Sequence, residues 1–175
     1  MRRRGAFRGT MIGTVAGLCL AVIGWAACPD AAAETTASTK TGLLRVDGTV
    51  AGGKAVTVDL ATLKSLPAIT VKTTTPWTDQ EDAFEGVLVR DLLDHFGAKG
   101  SSVVAYALDD YMVTIPMEDF RDYDVIIAYA IDGKPLPLDD KGPFWIIYPF
   151  SATSALQTDI YFSRSVWQLN RLTVQ

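Results

Sequence analysis

The groups able to do chemistry in this 175-residue chain are few and unevenly placed. The one histidine, His95, precedes Phe96 at the end of an apolar-periodic stretch. A charged imidazole there favours a helix C-terminus, whereas a general base would need a partner in a cleft. Both cysteines, Cys19 and Cys28, lie near the N-terminus, so no thiol follows Glu34. Zinc and haem sites draw on His and Cys, and this supply nearly excludes them. The acid pairs Asp109-Asp110, Asp122/Asp124 and Asp139-Asp140 offer oxygen ligands for calcium or two carboxylates for hydrolysis. None lies in an ordered ligand loop, and turn chemistry accounts for them better. Arg164, between Ser163 and Ser165, suits recognition of a phosphate or carboxylate, or pairing with one of the chain's own acids. Trp77 follows Pro76 in a polar stretch, where an indole either stacks on a flat ligand or covers the core. No Gly-x-Ser-x-Gly, Gly-rich phosphate loop or metalloprotease pattern is present.

Residues 1–33 read as a secretory signal peptide. Arg2, Arg3, Arg4 and Arg8 form a basic region, and Met11 to Ala27 is an apolar run of about 17 residues. Ala31-Ala32-Ala33 then offers a small-residue cleavage site before Glu34. The run is short for a membrane span. Lipoprotein anchoring at Cys28 is the lesser alternative, because Trp25 stands where such a signal carries Leu. Arg3-Arg4 lacks the continuation of a twin-arginine signal, which favours general secretion to the periplasm. Without Arg2, Arg3, Arg4, Arg8 and Asp30, about 12 basic residues face about 19 acidic ones, a net charge near −7. That balance argues against nucleic acid and against anionic membrane surfaces as partners. The remaining length is one domain's worth, held by its apolar core and no disulfide.

Residues 34–42 read as a disordered lead-in, and 43–175 as the domain. The most apolar mature stretch is Phe144-Trp145-Ile146-Ile147-Tyr148, entered by Lys141-Gly142-Pro143 and stopped by Pro149, which predicts a central strand. Other strands are predicted at Leu43–Val50, Val56–Val58, Ile69–Thr75, Ser102–Leu108, Tyr111–Ile115 and Asp124–Ile131. Ile160–Phe162 reads as extended, and Val166–Val174 closes the domain. Asp59 is placed to cap a short helix over Leu60, Leu63 and Leu66. Phe84–Val87 leads into a helix from about Leu88 to Phe96, ended by Gly97. Met117–Arg121 forms a helical turn. Trp145, Tyr148 and Trp167 read as core aromatics. Roughly nine strands with two or three short helices predict a mixed, mostly β, α+β fold.

In order and spacing, the pieces LLRVDGTV, TVDLATLKSLPAITV, FEGVLVRDLLDHFGA, ALDDYMVTIPMEDF, VIIAYAIDGKPLPLDDKGPFWIIYP and SVWQLNRLTV cover nearly all of residues 43–175. Together they resemble the molybdopterin-binding domain of the sulfite oxidase family, especially its short bacterial periplasmic members. The resemblance implies the sulfite-oxidase-like fold and, in catalytic members, a pyranopterin-bound molybdenum with a Cys thiolate ligand. That Cys belongs between the LKSLPAITV strand and FEGV, where this chain reads Lys72-Thr73-Thr74-Thr75-Pro76-Trp77. A threonine hydroxyl is a poor substitute for a soft thiolate. The resemblance places Thr73, Thr74 and Thr75 at the inherited pocket mouth, against the simpler reading of a β-branched edge strand. It also puts Lys141 and Gly142 on a turn facing the cofactor, where Gly lets backbone N–H groups approach an anion, against the simpler reading of a solvated turn. The candidate pocket is thus Thr73, Thr74, Thr75, Trp77, Lys141, Gly142 and Arg164, with no catalytic or metal residue assigned. The expected function is an exported, thiol-free member of this group. It would act as a small-ligand-binding, accessory or sensory module that holds an anionic or pterin-like ligand or docks a periplasmic protein. The alternative is an active molybdopterin-dependent oxidoreductase with an atypical site.

Overall fold

The computed structural model describes residues 42–175; the expected signal peptide and nearly all of the lead-in lie outside the described residues. Strand β1 (Leu43–Gly48) turns through a 3-10 segment, Ala51–Gly53, into β2 (Val56–Asp59), which pairs with it antiparallel. Asp59 then caps α1 (Leu60–Lys64): its Oδ1 accepts the Thr62 N–H at 2.7 Å, as its type and position predicted. Next come β3 (Ala68–Thr73), β4 (Asp82–Leu88) and α2 (Val89–His95), after which Gly97 adopts φ +57°. The antiparallel pair β5 (Ser102–Ala107) and β6 (Met112–Pro116) leads to α3 (Met117–Asp122). Strands β7 (Ile126–Ile131), β8 (Lys134–Pro135) and β9 (Trp145–Ile147) follow, then α4 (Asp159–Arg164) and β10 (Leu169–Val174).

The strands form two sheets, β2-β1-β10-β5-β6 and β3-β4-β7-β8, with β9 also pairing with β7. This is a mixed α+β fold. Buried residues of both sheets, among them Leu44, Val46, Val103, Ile127, Ile146, Leu169 and Leu172, join one core with Leu92 and Leu93 of α2 and Phe120 of α3. A second cluster contains Val71, Phe84, Ile126, Ala128, Trp145 and Ile147. Alternate residues of β7 and β9 therefore serve different clusters: Ile127 and Ile146 the first, Ile126, Ala128, Trp145 and Ile147 the second. A strand buried on both faces has no polar side to show, which explains the unbroken apolar run.

Sheet β2-β1-β10-β5-β6 carries a polar link between its two parallel neighbours. Asp47 of β1 accepts the Thr173 hydroxyl of β10 at 2.6 Å and the Arg45 Nε–H at 2.7 Å. Partial burial raises the carboxyl pKa, but the bonds from Thr173 and Arg45 outweigh it and hold it below the ordinary value. A carboxyl whose folded-state pKa is depressed contributes stability above its unfolded pKa and loses it as pH falls through the folded value. Acid titration of the unfolding midpoint should therefore show a loss below about pH 4 that is shallower in Asp47→Asn.

Several sequence expectations need correction. The Phe144–Tyr148 segment is not a central strand: β9 is three residues long and pairs with β7 alone, although every residue of the segment is buried. Its apolar character reports burial on both faces, not the number of paired neighbours. Phe84–Val87, read as a lead-in, lies within β4, which is paired on both sides. Gly86 serves a close approach there: a Cβ would collide with the Ile127 carbonyl, next to a register shift at Glu85/Gly86. Ile160–Phe162 is helical, within α4. The helix lets Tyr161 pack on Tyr148 (ring centroids 5.4 Å) and Phe162 on Phe150 (5.2 Å), and this packing outweighs the local preference of Ile, Tyr and Phe for strand. Trp167 is 36% exposed and so is a surface residue as much as a core one. The strands number ten and the α-helices four among the described residues, against about nine and two or three expected.

Candidate functional site

The threonines at the end of β3 are held by a serine 78 positions later. Thr73 is fully buried. Its Oγ1 accepts the Ser151 N–H at 2.9 Å and lies 3.1 Å from the Thr74 carbonyl and 3.3 Å from Ser151 Oγ. Ser151 Oγ in turn accepts the Thr74 N–H at 3.0 Å. Thr75 Oγ1 accepts the Trp77 N–H at 3.2 Å and bonds Thr78 Oγ1 at 3.0 Å. This is the geometry of a fixed turn, in which the Thr73 and Thr75 hydroxyls bond to the protein itself. Among the described residues no buried side-chain nitrogen or oxygen lacks a partner, and no three His, Cys, Asp or Glu side chains converge as a metal site.

The cations expected at the pocket are also committed. Arg164, at the end of α4, donates to Asp119 Oδ2 at 2.8 Å, and the Tyr148 hydroxyl donates to the same oxygen at 2.7 Å. Asp119 is 6% exposed, so this buried carboxylate holds α3, β9's exit and α4 together. Burial first, and the Asp119 charge second, push the Tyr148 phenol far above its usual pKa, so it stays a donor. Lys141 contacts Asp140 at 2.9 Å, and its Nζ lies 5.7 Å from the centre of the Trp145 ring. Gly142 donates its N–H to Pro137 O at 2.7 Å, and a Cβ there would collide with the Leu136 and Pro137 carbonyls. This turn needs glycine because the chain's own backbone approaches so closely.

Trp77 is the candidate residue at an opening. Its indole packs edge-on against Trp145 (5.7 Å), Phe162 (6.1 Å) and Trp167 (5.4 Å). Trp77, Phe162 and Trp167 border a cavity of about 290 Å³, whose wall also includes Tyr111, Asp109 and Ser163. Of the seven candidates Trp77 alone lines it. Trp77 and Lys141 meet through Trp145, Thr73 and Thr74 meet at Ser151, Thr75 bonds within its own turn, and Arg164 belongs to the Asp119 cluster. Sequence reasoning did not assign Asp119, Ser151, Tyr111, Asp109, Phe162 or Trp167 to a site. The available signal was the recurrence of aromatic residues around Ser163-Arg164-Ser165, namely Tyr161, Phe162 and Trp167.

Residues 32–174 match the family described as the oxidoreductase molybdopterin binding domain. The chain belongs to this family. The fold agrees: the crystal structure of the sulfane dehydrogenase SoxCD from Paracoccus pantotrophus matches it with a TM-score of 0.61 at 19% identity, over 78% of this chain and 39% of that one. At that identity the likeness is one of fold. The chain is also 26% identical over 77 residues to the uncharacterized oxidoreductase YuiH of Bacillus subtilis (strain 168), covering 43% of this chain and 39% of that protein. Each alignment therefore reaches less than half of the relative's length.

Proposed function

We propose that this chain is an exported, thiol-free member of the molybdopterin-binding oxidoreductase family that works as a small-ligand-binding or accessory module. The observation that carries the reading is the segment where the family resemblance places the molybdenum-ligating Cys. It holds threonines, and the Thr73 hydroxyl is buried and engaged with Ser151. Molybdenum favours a soft, deprotonated sulfur, whereas a neutral hydroxyl is a weak ligand at ordinary pKa. No cysteine follows Glu34 that could move into its place. The residues present do not fit a protein-ligated molybdenum. Arg164 and Lys141, the cations suited to a pterin phosphate, are paired with Asp119 and Asp140. The retained fold and the aromatic cavity beside Trp77 support a binding role.

Metal and pterin analysis tests this reading. Protein purified from its native compartment, and from a host that makes the cofactor, should contain neither molybdenum nor pterin in stoichiometric amount. Stoichiometric molybdenum with pterin would establish the alternative, an active oxidoreductase with an atypical site.

A further inference from the structure

We infer that the cavity beside Trp77 is a recognition site for a small organic cation of the alkylammonium class. The inference rests on the binding-module reading and names its ligand. Trp77 and Trp167 stand at an interplanar angle of 85° with centroids 5.4 Å apart, and Trp77 and Phe162 at 79°. Trp167 and Phe162 pack edge to face on Trp77 and all three rings line the cavity, forming an aromatic corner. Tyr111 closes another side, fixed by its hydroxyl bond to the Ser163 carbonyl at 2.8 Å. The cavity, about 290 Å³, is at the small end for ligand sites. An indole or phenol face attracts a cation through the ring quadrupole, and methylated ammonium groups lose little hydration on entering such a site.

The charge in the wall selects the sign of the ligand. Asp109 is the ionisable carboxylate of the lining, and no Lys or Arg lines it. Its Oδ1 accepts the Tyr111 N–H at 3.1 Å, while Oδ2 makes no hydrogen bond among the described residues. An anionic ligand would meet this carboxylate with no opposing cation, because Arg164 is bonded to Asp119 and Lys141 to Asp140. The acidic balance of the chain acts in the same direction at longer range. A cation over the indoles with Asp109 at the mouth satisfies both features, and a neutral apolar ligand would use only the rings.

Titration of the full-length protein with choline, followed by tryptophan fluorescence, tests the assignment against 3,3-dimethyl-1-butanol, its neutral isostere. Choline should bind saturably and at least about tenfold more tightly than the neutral alcohol. Asp109→Asn should weaken choline by about tenfold and leave the alcohol unchanged. Trp167→Phe should keep the site and Trp167→Ala should lose it, with thermal unfolding verifying that each variant is folded. Equal affinity for choline and its isostere, or no saturable binding of choline, overturns the cation assignment. Molybdenum and pterin content of the same preparation reports separately on the binding-module reading. A preparation free of both that ignores choline overturns the ligand class alone.

Discussion

Replacing Asp119 by Ala should destabilise the protein by about 3–5 kcal/mol, the range found when one partner of a buried ion pair is removed. The loss arises from what stays behind. The Tyr148 hydroxyl and the Arg164 guanidinium both donate to Asp119 Oδ2, and Tyr148 is fully buried. Without the carboxylate the phenol loses its acceptor and the guanidinium keeps its charge in a pocket that water enters poorly. Arg164 retains 19% side-chain exposure, so rescue by solvent places the effect toward the lower end of that range. Tyr148→Phe removes one donor and leaves the ion pair, and should cost only about 1–2 kcal/mol. Urea unfolding of the single and double variants yields the coupling energy. An Asp119→Ala protein that unfolds at the wild-type midpoint would show that the cluster contributes nothing to stability.

Trp145→Ala should cost at least about 3–5 kcal/mol, the range for deleting a buried large aromatic side chain. Trp145 is 1% exposed and packs edge-on against Phe84 at 5.5 Å and Trp77 at 5.7 Å. Its Nε1–H also donates to the Ser165 carbonyl at 3.2 Å, which ties β9 to the end of α4. Removing it opens a void under Trp77 and Trp167, so the aromatic corner loses its floor as well as the core its largest side chain. Trp145→Phe keeps ring packing and gives up the hydrogen bond and part of the volume, and should lie well below the alanine value. Thermal unfolding with near-ultraviolet circular dichroism checks both. An alanine variant with the wild-type transition would show that β9 is not structurally important.

The fold was legible wherever a residue's role was local. Asp59 announces a cap, Gly97 ends a helix, and the order of the pieces from LLRVDGTV to SVWQLNRLTV identifies the family domain. Errors came where burial and pairing diverge. An apolar run such as Phe144–Tyr148 states that both faces are covered and is silent about how many strands flank it. Ile160-Tyr161-Phe162 has strand-like composition, and only the presence of Tyr148, Phe150 and Trp77 nearby makes a helix the better solution.

The candidate site was harder to read because its bonds join distant residues. Thr73 and Ser151 are 78 positions apart, and Asp119 and Arg164 are 45 apart. No local pattern distinguishes Arg164 bound to a ligand from Arg164 bound to Asp119. The same holds for Gly142, whose lack of a side chain suits an anion or, as found, the carbonyls of Leu136 and Pro137. Of the candidates named from sequence, Trp77 is the one whose aromatic character carries through to an open cavity.

The parallel pairing of β1 with β10 has a consequence for how the protein folds. Arg45 to Gly48 of β1 lie in register with Arg171 to Val174 of β10, and β10 alone connects β1 to β5. One side of that sheet cannot join the other until β10 inserts between β1 and β5. The β2-β1 hairpin gains its second neighbour from a strand 126 positions later, Arg45 lying beside Arg171. Such long-range closure slows folding.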